Sequence, residues 1–199
     1  MRRATVTRTT RETKIQISLN LDGRGRTQIR TRIAFLDHML TLLGTHGLFD
    51  VIVRAKGDVD VDVHHTNEDV GLVLGQAFAK ALGDHKGIVR YGWAYVPMEE
   101  ALARVVLDIS GRPKLVVRDG RRPATPLRGS GTAYQWDDLE HFLESLARGA
   151  RLTIHVDVFA GRDFHHTCEA VCKALAKALR QATRREIGRA GVPSSKGRL

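Results

Sequence analysis

Two short strings carry most of the chemistry in this chain: His64-His65-Thr66-Asn67-Glu68 and His165-His166-Thr167-Cys168-Glu169. Imidazole nitrogens and carboxylate oxygens together suit first-row divalent ions, and a set without thiolates argues against a structural zinc finger. The spacing fits a helix start. His65 and Glu68 are three apart and share a face, and His64 and Glu68 are four apart. Adjacent imidazoles project in different directions from a helix or a strand, so one ion does not take both. Each pair therefore points to two ions. Thr66 followed by Asp69 is read as the cap of the first helix. One such string alone is more often a capped, solvated helix start; its recurrence in a second copy reverses that weighting.

An earlier histidine accompanies each string. His38 precedes His64 by 26 residues, and His141 precedes His165 by 24. Six histidines (His38, His64, His65, His141, His165, His166) and two glutamates (Glu68, Glu169) make two sets of three His and one Glu. Such sets leave coordination positions open for substrate, the mark of a catalytic metal site. The sequence does not partition the ligands between the two ions. His46, His85 and His155 lack the twofold recurrence and are read as structural, with His46-Gly47 as a helix end. Cys168 and Cys172 are read as small buried residues of one helix. With no disulfide framework, a reducing cytoplasm is the natural compartment.

The elements that position these residues also repeat. Asp37-His38-Met39-Leu40 and Glu140-His141-Phe142-Leu143 each open a helical pattern. A β-like run follows, Leu48 to Ala55 and Leu152 to Phe159. Each histidine string then starts a long helix, one running to Leu82 and the other to about Arg189. Alternating apolar residues predict strands over Thr13–Leu21, Thr27–Ile33 and Ala101–Ile109. The order is strand, strand, helix, strand, helix, twice. We expect one compact α+β domain over residues 1–199, with repeats at roughly 11–90 and 91–190 and a C-terminal tail at 191–199. Each sheet should cover its own helices, with the two helical layers meeting between the sheets. The Arg-, Pro- and Gly-rich stretch from Asp119 to Gly131 is expected to be the most mobile.

Composition sets outer limits. The chain has 199 residues, 42% hydrophobic and 27% charged, as in an ordinary soluble globule. No apolar run approaches the ~20 residues that a membrane span needs, and the basic start lacks the apolar core of a secretory signal. The net charge of +10 is compatible with RNA or with a phosphorylated substrate, and the arginines are scattered rather than aligned in a stripe. A non-enzymatic RNA-binding protein would leave the duplicated His/Glu set unexplained. A metal-storage shell would need the ligands but no acid/base carboxylate and no phosphate pocket.

Stretches along nearly the whole chain resemble the imidazoleglycerol-phosphate dehydratase family. They are Phe35-Leu36-Asp37-His38-Met39-Leu40, His46-Gly47-Leu48-Phe49-Asp50, His64-His65-Thr66-Asn67-Glu68-Asp69, Ser110-Gly111-Arg112-Pro113, His165-His166-Thr167-Cys168-Glu169-Ala170 and Pro193-Ser194-Ser195-Lys196-Gly197. The resemblance implies dehydration of D-erythro-imidazole-glycerol phosphate to imidazole-acetol phosphate in histidine biosynthesis, through a metal-bound imidazolate and a diazafulvene-like intermediate. It implies two manganese ions per subunit and a small phosphorylated substrate, with no nucleic acid or membrane as partner. It implies a homo-oligomer of twenty-four subunits built from trimers, with active sites between subunits. It implies two ribosomal-protein-S5-domain-2-like halves. It assigns Glu12 as the acid/base carboxylate alongside Glu68 and Glu169, and Arg90, Arg112, Lys173, Ser194 and Lys196 as the phosphate site. Leu42, Glu99 and the run Arg162-Asp163-Phe164 depart from the family pattern near that site.

Overall fold

Strict alternation of apolar and polar residues builds the inner strands. Ile15, Ile17 and Leu19 are buried on one face of a strand while Lys14 and Gln16 face out. Ala101, Ala103, Val105 and Leu107 repeat the pattern in the second half. The computed structural model describes residues 2–119 and 134–199. Among them the first half runs β1 (Arg3–Thr9), β2 (Thr13–Asn20), β3 (Thr27–Arg30), α1 (Ala34–Gly47), β4 (Asp50–Gly57) and α2 (His64–Leu82). The second half repeats it as β5 (Tyr91–Met98), β6 (Ala101–Asp108), β7 (Lys114–Asp119), α3 (Trp136–Ala150), β8 (Thr153–Ala160) and α4 (Phe164–Thr183).

Each half makes one four-stranded sheet, in the orders β1-β2-β4-β3 and β5-β6-β8-β7. The last pair of each sheet is parallel and the others are antiparallel. The fold is α+β and duplicated, with the helices between the two sheets. Helices α1 and α2 lie on the first sheet, and α3 and α4 on the second. The helical layers meet across the halves, with α2 against α3 and α1 against α4. Glycines set how closely α2 and α3 approach. A Cβ on Gly71 would lie 2.7 Å from the Phe142 carbonyl oxygen, and one on Gly75 would lie 2.6 Å from the Ala150 nitrogen.

Three expectations need correction. Each half carries three strands before its first helix rather than two, and β1 precedes the stretch in which sequence pattern opens the first half. The strand read over Thr27–Ile33 ends at Arg30. There Thr31 turns its backbone N–H and its hydroxyl onto the Asp37 carboxylate, at 2.8 and 2.6 Å, and fixes the entry to α1. Helix α4 stops at Thr183 and not near Arg189. Beyond it the chain is extended and pairs with residues 87–90: Val89 N–H donates to the Arg184 carbonyl, and Ile88 bridges Arg185. The stretch expected to be mobile lies outside the described residues apart from Asp119, which closes β7. Among the described residues no helix is long and apolar enough to cross a membrane.

Candidate metal centres

Both long helices begin at the histidine strings, and in both an aspartate two residues before the first histidine meets the helix start. Asp62 accepts the backbone N–H of His64, and Asp163 accepts that of His166 at 2.9 Å. A carboxylate there satisfies a free N–H and complements the helix dipole. The cap expected from Thr66 and Asp69 does not form. Asp69 is drawn away by tertiary partners, accepting from Arg8 Nε at 2.7 Å and from the Thr13 hydroxyl. The Thr66 hydroxyl is buried without a partner. The departure at Asp163 thus has a structural role as a cap. Asn67 ties α2 to its neighbour by donating to the Asp138 carbonyl at 2.7 Å and accepting from the buried Tyr134 hydroxyl at 2.9 Å.

The helix pairing gathers ligand-type side chains from opposite halves. His38 on α1 meets His165 and Glu169 on α4, and His141 on α3 meets His64 and Glu68 on α2; in each trio the donor atoms lie within 4.8 Å of one another. His38 Nε2 and His165 Nε2 stand 2.8 and 2.9 Å from the same oxygen, Glu169 Oε1. Lys173 Nζ lies 2.5 Å from the other oxygen. Burial pushes the Glu169 carboxyl up, but hydrogen bonds from Lys173, His38 and His165 outweigh it and hold the group at about 2. In the other trio the rings of His64 and His141 stack at 4.2 Å, His141 Nε2 is 3.9 Å from Glu68 Oε2, and Arg148 holds Glu68 Oε1 at 3.3 Å. His141 Nδ1 is buried without a hydrogen-bond partner.

His65 and His166 join neither trio. Their rings stand nearly perpendicular to those of His64 and His165, at 80° and 82°. His65 Nδ1 lies 2.9 Å from Asp58 and 3.9 Å from Glu12. His166 Nδ1 lies 2.9 Å from Glu100 and 3.9 Å from Glu99. These contacts raise both imidazoles, the Asp58 bond first for His65 and the Glu100 bond first for His166. Glu100 is held at about 2 by the backbone N–H of Asp163, then by His166 and by the N–H of Arg162. One chain therefore assembles two donor sets of two His and one Glu, where sequence arithmetic expected three His and one Glu. Two nitrogens and a carboxylate oxygen per set fit a divalent first-row ion with positions left open.

The basic residues divide between two regions. Lys173 sits beside Glu169. Arg90 is clamped on Asp108 at 2.7 and 3.0 Å and donates to the Pro193 carbonyl at 2.7 Å, which draws in the tail bearing Ser194 and Lys196. The C-terminal Leu199 packs on Gly111, next to the exposed Arg112. Arg90 and Met98, the neighbour of Lys173, flank opposite ends of β5, roughly 25 Å apart along an extended strand. His46 ends α1, as expected. Among the described residues His46, His85 and His155 join no donor set, and Cys168 and Cys172 are free and buried. Leu42 packs against the core. A concavity of about 760 Å³ lies on the outer face of the first sheet among Lys14, Arg30, Arg54 and Lys56, and no histidine lines it.

The imidazoleglycerol-phosphate dehydratase family model matches residues 31–179, which include every histidine and glutamate of the two trios. The chain belongs to the imidazoleglycerol-phosphate dehydratase family. Its relatives named imidazoleglycerol-phosphate dehydratase include one from Geobacillus kaustophilus, 50% identical over all of this chain and 99% of the relative, and one from Thermoanaerobacter pseudethanolicus, 49% identical over the full length of both. Crystal structures of imidazoleglycerol-phosphate dehydratase share the fold. The Staphylococcus aureus structure superposes with a TM-score of 0.80 at 36% identity, covering 92% of this chain and 99% of that one. The Pyrococcus furiosus structure, in complex with (S)-C348, gives 0.82 at 34% identity over 98% and 100%. The family is one of hydro-lyases in histidine biosynthesis, and the chain is an enzyme of that class.

Proposed function

We propose that the chain dehydrates D-erythro-imidazole-glycerol phosphate to imidazole-acetol phosphate, using two divalent ions per chain, preferably manganese. His38, His165 and Glu169 would hold one ion, and His64, His141 and Glu68 the other. His65 and His166, turned out of both trios, would complete sites on neighbouring copies in a homo-oligomer of twenty-four subunits built from trimers. The observation that carries this reading is the recurrence of a His-His-Glu trio, each drawn from both halves, with one histidine left over per string. Free, buried thiols at Cys168 and Cys172 suit a reducing cytoplasm.

When bound, the ions supply Lewis acidity at the substrate ring nitrogens and favour ring ionisation. The protein's own groups then have separable tasks. Glu12 lies in the exposed turn between β1 and β2, close to His65, and is the base for the carbon-bound proton beside the departing hydroxide. That turn is rigid. Thr10 Oγ1 accepts the N–H groups of Glu12 and Thr13 at 3.1 and 2.9 Å, and Asp69 anchors Thr13. Arg90, Arg112, Ser194 and Lys196 bind the phosphate, with Arg90 also holding the tail that bears Ser194 and Lys196; Lys173 adds a point charge beside Glu169. Because the two basic regions lie apart in one chain, a complete phosphate site also draws on more than one copy.

Metal analysis paired with an assay for imidazole-acetol phosphate tests the proposal. Protein purified without chelator should hold two ions per chain. Stripping them should abolish product and shrink the assembly on light scattering, because an ion shared between chains stabilises their association. One ion or none per chain, or full mass after stripping, would overturn it.

A further inference from the structure

The contacts of His65 and His166 recur between the halves although the sequence positions that make them do not. Each Nδ1 has one carboxylate oxygen at 2.9 Å and a second at 3.9 Å. In the first half the near acid is Asp58, in the six-residue connection from β4 to α2. The matching connection from β8 to α4 has only three residues, Gly161 to Asp163; its acid, Asp163, accepts the His166 backbone N–H and makes no ion pair with the ring. The near acid there is Glu100, from the turn between β5 and β6. The corresponding turn of the first half carries Glu12, the more distant acid at His65. The same contact is thus reached from two different places in the repeat. Inheritance of one residue through the duplication does not account for that, whereas a shared requirement of both histidines does.

We propose that Asp58 and Glu100 are the positioning residues that set the tautomer and ring orientation of His65 and His166 for metal binding; this rests on the reading of those histidines as ligands. A carboxylate can only accept, so each Nδ1 carries the proton and donates it, and in the neutral ring that a metal binds the lone pair is on Nε2. Carboxylate partners of this kind hold ligand imidazoles in place, and their loss typically costs 10–100-fold in metal affinity. Glu100 has a second duty. Its Oε1 accepts the backbone N–H of Arg162 at 3.1 Å and of Asp163 at 2.9 Å, strapping the β5–β6 turn to the start of α4. Asp58 has no such strap, so the two acids give independent tests of one role.

The experiment is equilibrium dialysis of manganese against wild type, Asp58→Asn, Glu100→Gln, His65→Ala, His166→Ala and the double variants Asp58→Asn/His65→Ala and Glu100→Gln/His166→Ala. Thermal unfolding of each metal-free protein checks folding. Each acid variant should weaken binding by about 10–100-fold, and should add less than about 2-fold when its histidine is already alanine. A loss of equal size in both backgrounds marks a purely structural strap and overturns the inference, as does unchanged affinity in both acid variants. Wild-type protein binding fewer than two ions, or histidine variants that bind as wild type, overturns the ligand reading itself and this inference with it.

Discussion

Gly71→Ala tests whether the contact between α2 and α3 sets the geometry of one donor trio. Gly71 lies one turn beyond Glu68 on α2, and Phe142, which its missing side chain would meet, follows His141 on α3. An added Cβ would stand 2.7 Å from the Phe142 carbonyl oxygen, 3.0 Å from Ser145 Cβ and 3.2 Å from the Phe142 ring, where ordinary contact begins at 3.4 Å. The nearest atom belongs to a helical backbone and cannot rotate away, so α2 must retreat by about 0.7 Å, the shortfall from that contact distance. Overpacking of this kind costs about 1–3 kcal/mol, while replacing a helical glycine by alanine returns about 1 kcal/mol. We expect a net loss of about 1–2 kcal/mol, because the clash is with backbone. At about 2–4 °C per kcal/mol for a chain of this length, Tm of the metal-free protein should fall by about 2–8 °C. The retreat carries Glu68 and His64 away from His141 and leaves the α1–α4 trio in place. Metal titration should therefore show one class of site weakened and one unchanged. A higher Tm with both classes intact would refute the reasoning, since only the propensity gain would then have acted.

Two further outcomes follow from the side-chain environments. Burial alone would raise the Asp157 carboxyl, but Arg118 at 2.6 Å and Arg104 at 2.9 Å outweigh it and hold the group below the usual carboxylate range. A depressed folded pKa stabilises fully above the unfolded value of about 4 and is lost as pH falls through the folded one; metal-free Asp157→Asn should show a flatter fall of Tm between pH 5 and 3, and parallel curves would contradict this. Glu12→Gln should lower kcat by about 10²-fold or more with metal content kept, whereas Lys196→Ala should mainly raise KM; a Glu12→Gln variant that changes only KM would move the base elsewhere.

Local pattern carried the starts of α2 and α4, the His46-Gly47 helix end and the inner strands, because each depends on residues a few positions apart; α1 and α3 begin three and four residues before Asp37 and Glu140. Strand β1 escaped because it is an edge. Of its residues only Ala4 is buried, and Arg3, Thr5, Thr7 and Thr9 give no apolar alternation. The end of α4 escaped because Arg184, Arg185 and Glu186 suit a helix, and what stops it is extended pairing with residues 87–90, remote in sequence. The caps were misassigned for a related reason. Asp69 fits a local capping pattern, but Arg8 and Thr13 claim it in three dimensions. The signal that was present, an aspartate two residues before the first histidine of each string, stands in the sequence twice.

The partition of donors could not be read from local pattern, since it depends on which helix faces which. Once α1 meets α4 and α2 meets α3, each trio takes one histidine from one half and a His-Glu pair from the other. The duplication therefore makes each half depend on the other for a site. It also fixes the remainder. Eight donors less two trios leave His65 and His166, one at the start of each long helix, each braced from behind by a carboxylate. Under the proposed reading every chain offers two donors outward and lacks two. An open pair of chains cannot balance that exchange unless both contacts close on the same partner. A closed symmetric assembly balances it at every site, because each surface that gives a histidine is matched by one that receives it. On that reading the leftover ligands tie the completion of the active site to assembly.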